Sequence, residues 1–382
     1  MSLPTHPRVV VVRGHQATPW ELAPWERLEG FDVAVLQSRL NGWDLEGIGL
    51  ESVEARTALD RLPRALAGRV TGLLGDRYRH LDAALEGADV VHVEELSYWF
   101  SADVARLRSR GAPFKLVATA WETIPFLDAY RTRPARGRRR MVLGAVDLFL
   151  ATTRRAADAL RLEGVQAARI EVAPPGIDTE RFGIARTPAQ PPLVVSPGRL
   201  VWEKGHQDVL RAAALLHRGE IACKAPPDVR IVGAGPEADR LRSHADELGI
   251  GAHVEIGSAA YRDMPAAFAA ASALALMSLP LAGGGLHPGD VPRVFWEEQF
   301  GLVFAEALAA GLPIVAADSG AIREVLGDAA TFVAPGDWRG LAEVLAGGVP
   351  APPAGIAGAL VERYSLPAAA QRLAAAYRRV LS

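Results

Sequence analysis

The 382-residue chain has a single cysteine, Cys223, which excludes a disulfide framework, a cysteine-rich zinc site and a CxxC redox pair. Lysine is almost as scarce. Of the 42 basic residues, 39 are arginine and only Lys115, Lys204 and Lys224 are lysine. The formal net charge of -2 leaves no global field to draw the chain onto nucleic acid, so no nucleic-acid partner is expected. The 37 glycines and 27 prolines fall short of the roughly 25–30% combined share that marks low-complexity disorder. The opening MSLPTHPRVVVV lacks a basic segment followed by a long apolar one, which predicts a cytoplasmic protein. One charge-free stretch, Ala266 to Leu286, has the length of a membrane span. Pro280 and Gly283-Gly284-Gly285 break it, and it reads instead as a short helix, a buried strand at Ala273 to Met277 and a loop. No G-x-G-x-x-G follows the first apolar run, which disfavours a nicotinamide-dependent reductase.

What is present is 49% hydrophobic residues, arranged in short runs rich in Val, Ile and Leu with helical segments between them. That is the pattern of parallel sheets covered on both faces. Strands are expected at Arg8 to Val12, Phe31 to Leu36, Asp89 to Val93, Lys115 to Thr119, Asp147 to Ala151 and Ile170 to Ala173. The alternation restarts with Leu193 to Ser196, Val229 to Val232, His253 to Ile256, Ala273 to Met277, Pro313 to Ala316 and Thr331 to Val333. Between the two sets, the proline-rich Gly183 to Pro192 reads as a linker. The expectation is two doubly wound α/β domains, residues 1–185 and 193–365. A terminal amphipathic helix, residues 366–382, carries Leu366, Leu373, Tyr377 and Leu381 on one face and packs back on the body. Two such domains make the cleft between them the expected binding site.

Two segments carry the chemistry. In LVVSPGRLVWEKGHQDVL, Leu193 to Leu210, a strand ends before Arg199 and Lys204, and a helix follows from about Gly205. Two cations beside a helix N-terminus suit a diphosphate. An Arg and a Lys on a loop are also an ordinary solvated pair, but lysine is a departure in a chain that otherwise chooses arginine. In FWEEQFGLVFAEALAAGLPIVAADSG, Phe295 to Gly320, Glu298 precedes a helix and Glu306 lies in its early turns. Such carboxylates can hold sugar hydroxyls, and the amides of Phe300, Gly301 and Leu302 can face an anion. The plainer reading makes Glu306 a helix-surface acid and Glu298 a charge favoured by the helix dipole.

Together, Gly198-Arg199-Leu200 with Glu203-Lys204-Gly205, Val232-Gly233-Ala234-Gly235-Pro236, Glu298-x7-Glu306 around Phe300-Gly301-Leu302, and Ala310-Gly311-Leu312-Pro313 resemble the GT-B glycosyltransferases of family 4. The matches run in order over roughly residues 193–336. The resemblance implies two facing Rossmann-like domains, acceptor-side then donor-side, and a retaining enzyme using a nucleotide-diphosphate sugar with a hexose-type sugar. It implies that Arg199 and Lys204 hold the diphosphate, Glu298 the sugar hydroxyls and Glu306 the ribose, with Gly233 in the donor site. Fixed cations and a helix N-terminus can stabilise a departing diphosphate. No D-x-D metal motif occurs in the chain, so activity without a metal or other cofactor is expected.

In the first half, Gly14 follows the first strand, where the family brings backbone near the donor phosphates. Where family members carry a T-x-H-D-like segment, this chain has Thr119-Ala120-Trp121-Glu122. Trp121 could stack on a sugar or sit in the core, and Glu122 could orient or deprotonate an acceptor hydroxyl. His92, at a strand end, is a weaker acceptor-side candidate, and a satisfied buried histidine is the favoured reading. The loop Ala282 to Trp296, with His287 and Arg293, is a candidate for shaping substrate choice. Arg131, Arg133, Arg136, Arg138, Arg139 and Arg140 form a basic run, read either as a solvated helix face or as a patch for an anionic acceptor or anionic membrane. The acceptor, whether glycan, lipid or small molecule, is open. A nucleotide-sugar epimerase of the same fold and a non-catalytic nucleotide-sugar-binding protein are the alternatives, the latter favoured by the missing histidine.

Overall fold

A computed structural model of the chain describes residues 6–14, 17–39, 41, 45, 48–57, 77–127, 133–283 and 293–382. The chain divides into two compact units: Met1–Ile177 together with Ser365–Ser382, and Asp178–Tyr364. The first unit holds a seven-stranded, wholly parallel sheet of β1 (Arg8–Val12), β2 (Asp32–Ser38), β3 (Glu51–Ala55), β4 (Val90–Glu94), β5 (Lys115–Ala120), β6 (Leu148–Ala151) and β7 (Ile170–Val172). Its order is β3-β2-β1-β4-β5-β6-β7, so the winding reverses between β1 and β4. The second unit holds a six-stranded parallel sheet of β8 (Leu193–Pro197), β9 (Asp228–Val232), β10 (Val254–Gly257), β11 (Ala273–Leu276), β14 (Ile314–Ala317) and β15 (Thr331–Val333). Its order is β10-β9-β8-β11-β14-β15, with the reversal between β8 and β11. A separate antiparallel hairpin joins β12 (Leu281–Gly283) to β13 (Arg293–Trp296).

The central strands form where the apolar runs are, because both faces are covered: Val9, Val10, Val11 and Val12 of β1 are all buried. Burying each such side chain contributes about 1.5–3 kcal/mol. The expected strands all occur, with ends shifted by a residue or two. Three strands were not expected. β3 (ESVEA) is an edge strand bonded only to β2, exposed along most of its length, and therefore carries no apolar run. β12 and β13 lie in and beside the Gly- and Pro-rich stretch read as a loop, so the charge-free segment contains the helix Met264–Ala270, β11 and then a hairpin strand. Among the described residues, no helix is long and apolar enough to cross a membrane.

The division falls at Ile177 rather than within Gly183 to Pro192, which belongs to the second unit. That segment is tied down: Arg186 donates to the carbonyls of Ala271 and Gly311 at 2.8 and 3.0 Å, and the Thr187 amide donates to Ala269 at 2.9 Å. The terminal helix Leu366–Leu381 packs in the first unit. Ser365 caps it, and Leu366, Leu373 and Tyr377 are buried, whereas Leu381, expected on the same face, is exposed at the frayed end.

Candidate functional site

In an open parallel sheet, ligands bind beyond the carboxyl ends of the strands where the winding reverses. In the second unit that place is the β8/β11 junction, and Lys204 and Glu298 meet there. After β8 the chain passes Gly198 and Arg199, makes a 3-10 turn at Trp202–Lys204, and enters the helix His206–His217 through Gly205. Gly205 has φ +69°, and a Cβ there would lie 1.8 Å from the Met277 carbonyl just past β11, so the turn admits only glycine. His206 is buried and holds the turn, its Nδ1 2.9 Å from Ser196 Oγ and its Nε2 3.2 Å from the Arg199 carbonyl. Burial pushes its pKa down to about 4, so it is a neutral strut. Arg199 is exposed, and its side chain makes no hydrogen bond or ion pair among the described residues.

Lys204 and Glu298, 94 residues apart, meet as an ion pair, Nζ to Oε2 at 2.6 Å. Glu298 is 5% exposed, and the same oxygen accepts from Ser278 Oγ at 2.8 Å. Its Oε1 has no hydrogen bond among the described residues. Lys204 also lies 5.3 Å from the centre of the Trp296 ring, a cation–π contact. The Glu298 backbone is fixed by the Ala321 amide, which donates to its carbonyl at 2.9 Å. The helix Leu302–Ala309 follows, entered through Gly301 with no side-chain cap, while Phe300 packs edge-on against Tyr364 at 5.3 Å. The helix at His206 also begins without a side-chain cap. Two uncapped helix starts thus flank the pair.

Glu306 is not a surface acid. It is 6% exposed, accepts from the Tyr261 hydroxyl at 3.0 Å, and burial pushes its pKa up to about 7. Arg181, which stacks on Tyr261 at 5.3 Å, opposes that rise. Gly233 has a packing role of its own. Its amide already donates to Gly257 at 2.8 Å, and a Cβ would meet the Gly198 carbonyl at 1.8 Å. It lets the β9 loop cross under the Arg199 turn, and it has no N–H to offer a ligand. Ser278, Tyr261, Arg181 and His206 escaped sequence reasoning. Of the four, only His206 adjoins a recognised motif, at Lys204.

In the first unit, the reversal lies at β1/β4. Gly14 sits there, half-buried, just past β1, while His15 lies outside the described residues. Arg13 pairs with Glu94 and Glu21, and Trp121 Nε1 donates to Glu94 at 3.3 Å. Trp121 is half-buried, so it is neither a wholly core aromatic nor an open stacking face. The carboxylate of Glu122 folds back on its own turn, accepting from the amides of Thr123 and Ile124 at 2.9 Å each. Burial, with the nearby Glu95, pushes its pKa up to about 7. Glu95, not singled out in the sequence, sits in the left-handed region at φ 68° and accepts from the Trp121 amide at 2.6 Å; its carboxyl is also pushed up by burial. His92 is removed from the acceptor side. It is fully buried, with Nδ1 2.6 Å from the Tyr377 hydroxyl and Nε2 2.8 Å from Thr119 Oγ1, and burial pushes its pKa down to about 3.

The basic run divides. Arg139 is buried and pairs with Glu163 through two hydrogen bonds, at 2.5 and 2.8 Å. Arg138 stacks on Trp99, whereas Arg136 and Arg140 are exposed. Arg131, and the side chain of Arg133, lie outside the described residues, as do His287 and the side chain of Arg293.

Two parallel-sheet units, each with its charged residues at the winding reversal, define the GT-B class of glycosyltransferase folds. The sequence profile of "Glycosyl transferases group 1" matches residues 178–347, and that of "Glycosyltransferase Family 4" matches residues 14–181. The chain belongs to glycosyltransferase family 4. It is 37% identical over 171 residues to the GDP-mannose-dependent alpha-(1-6)-phosphatidylinositol monomannoside mannosyltransferase of Mycobacterium tuberculosis, covering 42% of this chain and 41% of that protein. It is 31% identical over 268 residues to the D-inositol 3-phosphate glycosyltransferase of Mycobacterium bovis, covering 64% of this chain and 50% of that one. The matched stretches thus span about half the length of these curated relatives or less. The Anabaena HepE protein, solved with UDP-glucose, superposes with a TM-score of 0.71 at 17% identity, over 98% of this chain and 100% of its own. At that identity the likeness shows the fold.

Proposed function

We propose that this protein is a retaining glycosyltransferase that moves a hexose-type sugar from a nucleotide-diphosphate donor to an acceptor hydroxyl without a metal ion. The observation that carries the reading is the 2.6 Å contact between Lys204 and Glu298 at the β8/β11 reversal. A cation and a carboxylate are held together there, nearly dry, beside two helix starts with no side-chain cap. A diphosphate draws on Lys204, Arg199 and the helix amides; Glu298, whose Oε1 takes no bond among the described residues, takes sugar hydroxyls. As the bond to the diphosphate breaks, negative charge grows where these fixed donors already stand, and they supply the stabilisation a metal gives elsewhere. Glu306 faces the ribose in this reading, as a carboxylate once ionised.

Titration with GDP-mannose and UDP-glucose, followed by detection of free nucleoside diphosphate and a glycosylated product, tests the assignment. Lys204→Ala and Glu298→Gln each lower turnover by about 10²–10³-fold while the chain still melts cooperatively as a folded protein. Turnover close to wild type in both variants refutes the site. Turnover abolished by EDTA and restored by a divalent ion refutes the metal-free reaction. Epimerised nucleotide sugar with no transferred product, or donor binding with neither, refutes the transferase.

A further inference from the structure

One cluster in the first unit is used by nothing described above. The helix Trp99–Ser109 starts just past β4, and the helix Arg133–Ala145 follows the loop after β5, so both begin at the carboxyl edge of the sheet. There the Trp99 ring carries two guanidinium groups: Arg138 Cζ lies 3.9 Å from the ring centre and Arg77 Cζ 5.5 Å. Bringing two like charges onto one ring costs energy unless an anion joins them. Among the described residues, Asp103 is the carboxylate within reach, and it is already shared. It accepts from Arg77 Nε and Nη2 at 2.9 and 2.8 Å and also pairs with Arg106. Among the described residues, three arginines share one aspartate, a local excess of positive charge.

The unused donors are specific. Arg138 Nε is buried with no hydrogen-bond partner, and neither terminal nitrogen of Arg138 bonds within the described residues. Arg77 spends Nε and Nη2 on Asp103 and, among the described residues, has Nη1 left. Burial and the neighbouring Arg77 both lower the pKa of Arg138, as expected for a charge held ready without its counterion. The first turn of the Trp99 helix has no side-chain cap and no acidic residue. A solvated helix face would instead spread its arginines outward, as Arg136 and Arg140 do.

We propose that Arg77 and Arg138, stacked on Trp99, form an anion site that binds a phosphate group of the acceptor. The site makes the acceptor a phosphate-bearing molecule, either a soluble phosphate ester or a phospholipid headgroup. Arg138 has its guanidinium fork to offer a pair of phosphate oxygens, and Arg77 adds the Nη1 that Asp103 leaves it. Arg138 already lies against the Trp99 ring and Arg77 is held by Asp103, so little side-chain freedom is lost on binding. The acceptor role rests on the transferase reading above, whereas the anion site itself does not.

The full chain is titrated by calorimetry with GDP and UDP, then with glycerol 3-phosphate while saturated with whichever nucleotide binds, so that the second-unit diphosphate residues are occupied. The expected result is that glycerol 3-phosphate binds and glycerol does not. Arg138→Gln and Arg77→Gln each weaken that binding about tenfold or more and leave the nucleotide affinity unchanged. A parallel arm sediments the protein with phosphatidylcholine vesicles, with and without about one part in five phosphatidylglycerol. Arginine-dependent binding to the anionic vesicles alone assigns the phosphate to a headgroup and supports the site. Equal binding by wild type and both variants, or nucleotide binding with no phosphate binding in either arm, overturns it. Arginine-dependent phosphate binding without any nucleotide binding supports the anion site while the transferase reading fails. Should Arg138→Gln lower the melting temperature, Arg77→Gln carries the test, since that side chain is 44% exposed.

Discussion

At Glu306 a single carboxyl records both its burial and its expected task. Its pKa is near 7 in the fold against an ordinary value of 4.5, so the native state holds a proton that the unfolded chain has released. A raised acid makes the native state bind more protons than the unfolded one, and stability falls as pH rises from about 4.5 through about 7. Glu306→Gln keeps an acceptor oxygen for Tyr261 and removes the titration. Its melting temperature relative to wild type therefore increases between pH 5 and pH 8, at about 2–4 °C for each kcal/mol of shifted stability. A parallel pair of melting curves across that range contradicts the assignment. Glu122 titrates in the same window for the same reason, so the wild type keeps part of its slope in this variant. Gly205 is the second residue at which one atom decides. Gly205→Ala drives a methyl into the Met277 carbonyl from a left-handed backbone, which costs about 3 kcal/mol or more in urea unfolding and misplaces Lys204.

Among the elements, the terminal helix Leu366–Leu381 does more than cover the first sheet. Its Tyr377 hydroxyl accepts from Trp25 Nε1 at 2.8 Å and meets His92 Nδ1 at 2.6 Å, linking the helix Pro19–Glu26, β4 and itself in one dry network. A neutral His92 fits the chain Tyr377 to Nδ1 and Nε2 to Thr119. Tyr377→Phe keeps the ring and strands two buried polar groups, so it lowers stability by about 2–4 kcal/mol in urea denaturation. A loss below about 0.5 kcal/mol would show that the network is not the clamp described. This element also explains what could be read in advance. A valine run such as β1 announces a strand buried on both faces, whereas ESVEA in β3 pairs on one side and carries charge. The partner of His92 lies 285 residues away, beyond any local pattern.

For the whole molecule, the first unit is discontinuous, since Ser365–Ser382 returns to it after the second unit is complete. Leu373, Ala374, Ala376 and Tyr377 share one apolar cluster with Val9, Val11, Leu22 and Trp25. Deleting residues 365–382 uncovers that cluster and strands the Trp25 indole. The first unit then loses cooperative melting while Asp178–Tyr364 retains its own transition. Calorimetry and limited proteolysis read this directly, with a protected fragment beginning near Asp178. Equal protection of both units in the deletion contradicts the division.

Local composition was enough to determine that this chain builds two parallel sheets, because strands buried on both faces must be continuously apolar. Motif spacing together with the family resemblance singled out Arg199, Lys204, Glu298 and Glu306 as candidates. Only the tertiary structure joined Lys204 to Glu298, buried Glu306 against Tyr261, closed His92 inside a hydrogen-bond network and lifted Arg138 from the basic run onto Trp99. The physical reason is the same in each case. A residue's chemistry is set by its identity, but its charge state and free bonding capacity are set by neighbours that chain folding brings from far away in sequence.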